Sequence, residues 1–275
     1  PIGVAIGMSS AVSMICMIPA DVSFATSAQR IFAGSNSFSL IAIPFFILAG
    51  NIMNNGGIAT RLVNCAKVIS GRMPGALAQS NVVANMLFGA ISAAAAMGGT
   101  IGPLEEKEGY DKNYSTAVNV ASAPVGMLIP PSNTMIVYSS VAGSVSIAAL
   151  FMAGYIPGLL WGGAVMILAG IMAKKRGYQA EQRVPVKVAL KTFWQAIPSL
   201  LLIVIVIGGI LGGIFTATEG SAIAVVYATV LSLIYKAFKI KDIPRIVLEA
   251  AKTTGIITFM IGLSSIMSWA MAFTG

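Results

Sequence analysis

Histidine is absent from this chain. Imidazole proton relays and His-ligated metal centres are therefore excluded. Cysteine is nearly absent: Cys16 lies in an apolar span and Cys65 in a polar segment, too few and too different in setting for a disulfide framework or a metal site. Charge is scarce as well. Only 9 % of residues are charged, against about 25 % in a soluble domain, while 57 % are hydrophobic and the mean hydropathy is +0.87. That balance describes an all-α polytopic membrane protein whose principal partner is the lipid bilayer. No signal-peptide pattern is present, and Pro1 opens inside an apolar run without an initiator Met, so the sequence is expected to belong to something longer. Seventeen basic against nine acidic residues give a net charge of +8, which in a soluble protein would suggest nucleic acid. Here the basic residues lie in short segments between apolar runs, where they orient the chain by the positive-inside rule. No nucleic-acid partner is expected.

The most informative stretch present is Ala121–Gly143, ASAPVGMLIPPSNTMIVYSSVAG. It is long and apolar enough for a bilayer, yet Pro130 and Pro131 stand together in its middle, followed by Ser132, Asn133 and Thr134. Proline has no N–H, so the carbonyls of Gly126 and Met127 lose their helical partners, and the paired rings push Ile129 and Pro130 out of the α region. In hydrocarbon, freed backbone groups are tolerated only where protein or a water-filled cavity satisfies them. Two structures meet that demand. One is a kinked helix healed by Ser132 and Asn133. The other is a pair of half-helices whose ends, carbonyl oxygens on one side and N–H groups on the other, suit a cation and an anion side by side. Gly126 and Met127 would then offer carbonyls, and Ser132 and Asn133 a hydroxyl and an amide, all hard oxygen ligands.

In chain order, Pro1–Pro19 reads as a first span, followed by a loop to Ser37 that holds Asp21 and Arg30. Phe38–Met53 is a short second span. Ile58–Ser70 has helical apolar spacing with a basic face, suited to the membrane surface. Pro74–Pro103 carries Gln79, Asn81 and Asn85, then Ser92 with four alanines, then Gly98–Gly99. About 11 helical residues reach the midplane of a ~30 Å core, so the segment reads either as a re-entrant hairpin or as one small-residue helix. The polar Glu105–Asn113 follows, with Glu105, Glu106 and Glu108 expected in a solvated turn. Further spans are Gly154–Ala173, Pro198–Ile214, Gly220–Tyr235 and Thr253–Phe273, with basic segments at Gly177–Ala196 and Lys236–Lys252. If Pro74–Pro103 returns to its own side, every Lys and Arg except Arg30 falls inside. A single crossing would send most of them outside, so the charge bias favours the hairpin. Glu219 after Thr218 reads as a helix cap, and Trp161, Trp194 and Trp269 as interface or packing anchors.

IAIPFFILAG, GAISAAAAMGGTIGPLEEKEGYD, IPPSNTMIVYSSVAG, FMAGYIPGLLWG, AKKRGY and GIFTATEGSAIAVVYA, in this order, resemble the large membrane (M) subunit of tripartite ATP-independent periplasmic (TRAP) transporters. The similarity covers essentially the whole chain. It implies an ion-transporter-type elevator fold with a re-entrant hairpin and a broken helix, the second repeat truncated. Residues 1–73 would be scaffold helices and an amphipathic arm helix. Residues 74–150 would be the first half of the transport domain (hairpin 74–103, broken helix 115–143), and residues 151–275 scaffold helices and the start of a second repeat. The resemblance also implies Na⁺-coupled import of an organic or sugar acid across the bacterial inner membrane. A periplasmic substrate-binding (P) protein would deliver the acid, and a small membrane (Q) subunit would be bound or fused. Na⁺ would sit between the hairpin tip at Ser92 and Ala93 and the break at Gly126, Met127, Pro130, Ser132 and Asn133, with Ser132, Asn133 and Thr134 toward the substrate. The family tip is often rich in Ser and Gly, whereas this one is mostly alanine, so tip contacts would come from backbone carbonyls. A membrane subunit of an ATP-driven importer is the alternative, but it gives no reason for a hairpin. A membrane enzyme would need a catalytic constellation that the spans lack.

Overall fold

The computed structural model describes residues 2–88, 101–143, 145–178 and 185–274. Among these residues every regular element is helical: α1 (Ile2–Ile15), α2 (Ala20–Ser35), a 3-10 turn (Phe38–Ile41) running into α3 (Ala42–Asn55), α4 (Ile58–Ser70), α5 (Ala76–Phe88), α6 (Gly102–Lys107), α7 (Lys112–Leu128), α8 (Asn133–Ala142), α9 (Ile147–Lys175), α10 (Val186–Leu211), α11 (Ala217–Ile234) and α12 (Ile243–Thr274). Among the described residues five helices, the 3-10 turn counted with α3, are long and apolar enough to cross a membrane, and the bent pair α7–α8, taken as one span, makes a sixth. The chain is a multi-pass membrane protein.

Four expectations need correcting. The loop assigned between Pro19 and Ser37 is the 16-residue helix α2. Its fully buried residues are small and polar: Ser23 and Ser27 are buried, and a Cβ on Gly34 would stand 2.0 Å from Ser265 Oγ of α12, with Ile31 half-buried beside them. Such close packing of small residues holds helices together where lipid removes the hydrophobic drive between them. The basic segment and the last span are not separate, because α12 runs unbroken for 32 residues. Likewise α10 begins inside the expected basic segment and carries Pro198 in its interior. Cys65, placed by sequence in a polar segment, is buried. It belongs to the apolar face of α4, which with Leu62 and Ala66 packs on α5 and α10.

The helix ends sort into two groups. At one end, the Arg61 guanidinium lies 3.4 Å over the Tyr235 ring, and Arg176 pairs with Asp111 at 2.9 Å. Tyr178 stacks on Tyr110 at 4.4 Å and its hydroxyl accepts the Asp111 N–H at 2.8 Å. Asp111 caps α7 by accepting the Tyr114 N–H at 2.9 Å. That hydrogen bond, and then the guanidinium of Arg176, hold its carboxyl below the usual carboxylate range. At the other end, the turns before α3, between α8 and α9, and between α10 and α11 meet. There Glu219 is the cap that the sequence suggested. Its Oε2 accepts the Thr216 N–H at 2.7 Å, while Thr216 Oγ1 accepts the Glu219 N–H at 3.3 Å, closing a capping box. Of the tryptophans, Trp161 donates to Ala121 O at 2.9 Å, and Trp269 stacks on Phe273 at 5.0 Å beneath Arg30.

Residues of α6 lie beside the first turns of α5. Glu105 lines the same cavity as Asn81, so the chain that climbs along α5 to Phe88 is back at the level of Asn81 by Glu105. Glu105 itself is not in a solvated turn. It is 1 % exposed, packed between α5 and α7, whereas Glu106 and Glu108 are exposed.

Candidate ion and substrate site at the helix break

The N-terminal half of the broken helix, α7, keeps its hydrogen bonding to the last available donor: the Ile129 N–H donates to Val125 O at 2.9 Å. Beyond it Pro130 and Pro131 have no N–H to give, and Ile129 adopts an extended backbone with ψ 124°. The chain re-enters a helix at Asn133 with the axis bent by 49°. Ser132 is the N-cap of α8 and is fully buried. Its hydroxyl donates to Met127 O at 2.5 Å and accepts the Met135 N–H at 3.4 Å, so one side chain ties the two half-helices across the gap.

The residues singled out by sequence divide into distinct roles. Gly126, Pro130 and Ser132 are buried at the break, and the missing N–H of Pro130 leaves the Gly126 carbonyl without its helical donor. Met127 does not offer a fully free carbonyl, because Ser132 occupies one lone pair. Asn133 is half-buried at the first turn of α8, and its Oδ1 is buried with no hydrogen-bond partner. Thr134 is exposed. Ser92 and Ala93 lie outside the described residues, as do the rest of the expected hairpin tip. The donor set around the gap is thus made of carbonyl, hydroxyl and amide oxygens, the ligands a hard cation takes. A buried amide oxygen with no hydrogen-bond partner is a ligand such a cation can take.

The break also needs room behind it, and the sequence reading missed how that room is made. Gly154, Gly158 and Gly162 fall at four-residue intervals on α9, one small-residue face. A Cβ on Gly154 would stand 2.2 Å from Leu128 O, and one on Gly158 would stand 2.6 Å from Ile129 Cγ1. The opened backbone is therefore seated directly on the glycine face of α9. The spacing was visible in the sequence, but it passes for an ordinary span until the break is laid against it.

Polar residues of α5 lock it to its neighbours rather than facing a pore. Gln79 Nε2 donates to Met166 O of α9 at 2.8 Å, and Asn85 Nδ2 donates to Ser122 Oγ of α7 at 2.7 Å. Beyond the far end of α8, Ser39, Ser139, Ser140, Ser146, Thr216 and Thr218 help line a cavity of about 460 Å³ between the α8–α9 turn, the approach to α3 and the start of α11. Sequence reasoning did not collect them, because the three turns that bring them together are remote in the chain.

These features have counterparts in known proteins. The family model of the tripartite ATP-independent periplasmic transporter, DctM component, matches residues 1–275. An uncharacterized protein, YgiK, of Salmonella typhimurium is 50 % identical over 98 % of this chain and 63 % of its own length. The C4-dicarboxylate TRAP transporter large permease protein DctM of Rhodobacter capsulatus is 34 % identical over 100 % of this chain and 66 % of its own. The sialic acid TRAP transporter large permease protein SiaM of Vibrio cholerae is 35 % identical over 99 % and 64 %. The chain thus spans less than two thirds of the length of these relatives. With the interrupted helix, the spans around it and a match along every residue in accord, the chain belongs to the DctM family of TRAP transporter large permeases.

Proposed function

We propose that this chain forms part of the large membrane subunit of a Na⁺-coupled secondary transporter in the bacterial inner membrane. It imports an organic acid or sugar acid, of the C4-dicarboxylate or sialic acid class, handed over by a periplasmic binding protein and with a small membrane subunit alongside. The observation that carries this reading is the break. Two half-helix ends meet inside the protein, where Pro130 denies the Gly126 carbonyl its helical donor and the Asn133 amide oxygen has no hydrogen-bond partner, which suits a Na⁺ ion better than a plain kink does. In this reading Asn133 ligates Na⁺ directly and Ser132 is a positioning residue that fixes the gap. The return of the chain to Asn81 by Glu105 supports a re-entrant hairpin. The hydroxyl-lined cavity beyond α8 is where the acid would arrive from the periplasmic side. An elevator movement would carry the hairpin and break together along the glycine face of α9 or with it. The test is uptake into vesicles holding the complete transporter and its partners, scanning C4-dicarboxylates and sialic acids with and without a Na⁺ gradient. Gradient-dependent uptake of one class supports the reading. Uptake that requires ATP and ignores Na⁺ would replace it with an ATP-driven importer.

A further inference from the structure

Glu105 is fully packed away, yet Oε1 finds no hydrogen-bond partner. Burial pushes its carboxyl above the ordinary range, and the nearby Ser115 hydroxyl draws it partly back, although Ser115 Oγ completes no hydrogen bond of good geometry. A buried carboxylate in that position needs either a proton or a counter-charge. It does not face solid protein. It lines a cavity of about 260 Å³ where α5, α6 and α7 meet, with Asn81 and Ser115 on the walls and Glu106, Lys112 and Thr116 around it. Since a water occupies about 30 Å³, the space holds an ion with several waters.

The charges specify what the cavity suits. Glu106 on α6 and Lys112 on α7 face it with opposite signs, and α5 carries no charged residue, leaving one buried negative charge over. Among the described residues no group of three or more His, Cys, Asp or Glu gathers to hold a metal ion. That is too few anionic ligands for a tightly held divalent cation, while one carboxylate with neutral oxygens matches a single positive charge. The cavity is also connected to the break. Ser115, Asn119, Ser122 and Gly126 follow one another at helical spacing on one face of α7, and Asn85 of α5 bridges Asn81 and Ser122 through its amide. A polar seam between α5 and α7 thus leads from Glu105 up to Gly126 at the break.

We propose that the cavity at Glu105 is a second site for a small monovalent cation, Na⁺ or K⁺, at the inner end of the α5–α7 seam. The carboxylate, Ser115 and Asn81 hold a partly hydrated ion there, tying the returning arm α6 to α7. The site does not require the break to bind Na⁺, so the two are tested apart. The full-length protein in lipid nanodiscs is melted at pH 7.5 and constant ionic strength in NaCl, KCl or choline chloride. An ion that binds only the folded state raises Tm as its concentration passes Kd. Asn133→Ala, which removes the break ligand, is expected to keep an Na⁺- or K⁺-specific rise in Tm. Adding Glu105→Gln is expected to weaken that remaining rise, and Ser115→Ala to move its midpoint to about five- to tenfold higher concentration, the loss of one hydrogen-bond-strength contact. NaCl against KCl tells which ion fits. If Glu105→Gln does not assemble, Ser115→Ala decides alone. A response unchanged in Glu105→Gln and Ser115→Ala, or equal in choline chloride, overturns the site. When the melts are repeated across a pH series, so does a Tm that falls with rising pH identically in all three salts, which is the behaviour of a carboxyl simply held protonated.

Discussion

Replacing Gly154 by alanine puts a single methyl group between α9 and the break. The added Cβ would stand 2.2 Å from the Leu128 carbonyl oxygen and 2.3 Å from Met135 Cε. Ordinary contact between such atoms is about 3.5 Å, so the opened backbone must retreat from α9 by about 1 Å. Met135 Cε ends a flexible side chain and can move aside, but the carbonyl is backbone and carries Ile129 and Pro130 with it. Overpacking of this kind costs about 1–3 kcal/mol, offset by about 0.5–1 kcal/mol for removing a helical glycine. The net loss is then between about 0 and 2.5 kcal/mol. Other glycines of the same helix grade the effect. At Gly158 the nearest atom is Ile129 Cγ1 at 2.6 Å, and at Gly162 it is the Met86 sulfur at 2.8 Å, which a thioether can yield. At Gly163 nothing lies within 4 Å. Thermal unfolding of the purified full-length variants should therefore lose stability in the order Gly154→Ala, Gly158→Ala, Gly162→Ala, with Gly163→Ala unchanged or improved. Gly154→Ala as stable as the parent, with Gly163→Ala the damaged one, would refute the seating of the break on α9.

Two further outcomes are expected. Asp111 has its carboxyl depressed by the Tyr114 N–H first and by Arg176 second, so its stabilising contribution is present above the unfolded carboxylate pKa of about 3.9 and is lost as pH falls through its lower folded value. Asp111→Asn should remove that acid-range transition, measured by unfolding against pH; an identical acid limb in the variant would deny Asp111 this role. In a background lacking Cys16 and Cys65, Arg72→Cys and Lys112→Cys should both be labelled by an impermeant reagent from the cytoplasmic side, since the chain between them returns to the level of Asn81. Labelling of the two from opposite faces would make residues 74–103 a single crossing.

The parts of this molecule that sequence makes legible are those whose chemistry is local. Two adjacent prolines cannot donate backbone hydrogen bonds in any fold, so the interruption at Ile129–Ser132 was visible before any coordinates. Glu219 was legible as a residue of a helix start, although its partner in the capping box is Thr216 rather than the adjacent Thr218. What failed was long-range. The helix α2 buries only serines and sets Gly34 against α12, so apolar periodicity had little to detect. Pro198 was taken as a boundary, yet it sits within α10, as the packing of a membrane helix permits. Glu105 looked like a solvated turn residue because three glutamates stand together, and only the return of α6 against α5 and α7 buries one of them. At the break, the sequence offered Met127 and Ser132 as free oxygens. The structure joins those two to each other and leaves Asn133 as the side chain with an oxygen to spare.

That distinction makes the Na⁺ dependence of Asn133→Ala the sharpest test. In the complete transporter, removing the amide oxygen while keeping the Ser132 bridge should leave insertion and subunit assembly intact. The Na⁺ concentration for half-maximal uptake should rise by roughly five- to 150-fold, corresponding to about 1–3 kcal/mol for one lost ligand. A variant that transports at the parental rate with an unchanged Na⁺ midpoint would contradict the account and reduce the double proline to a kink.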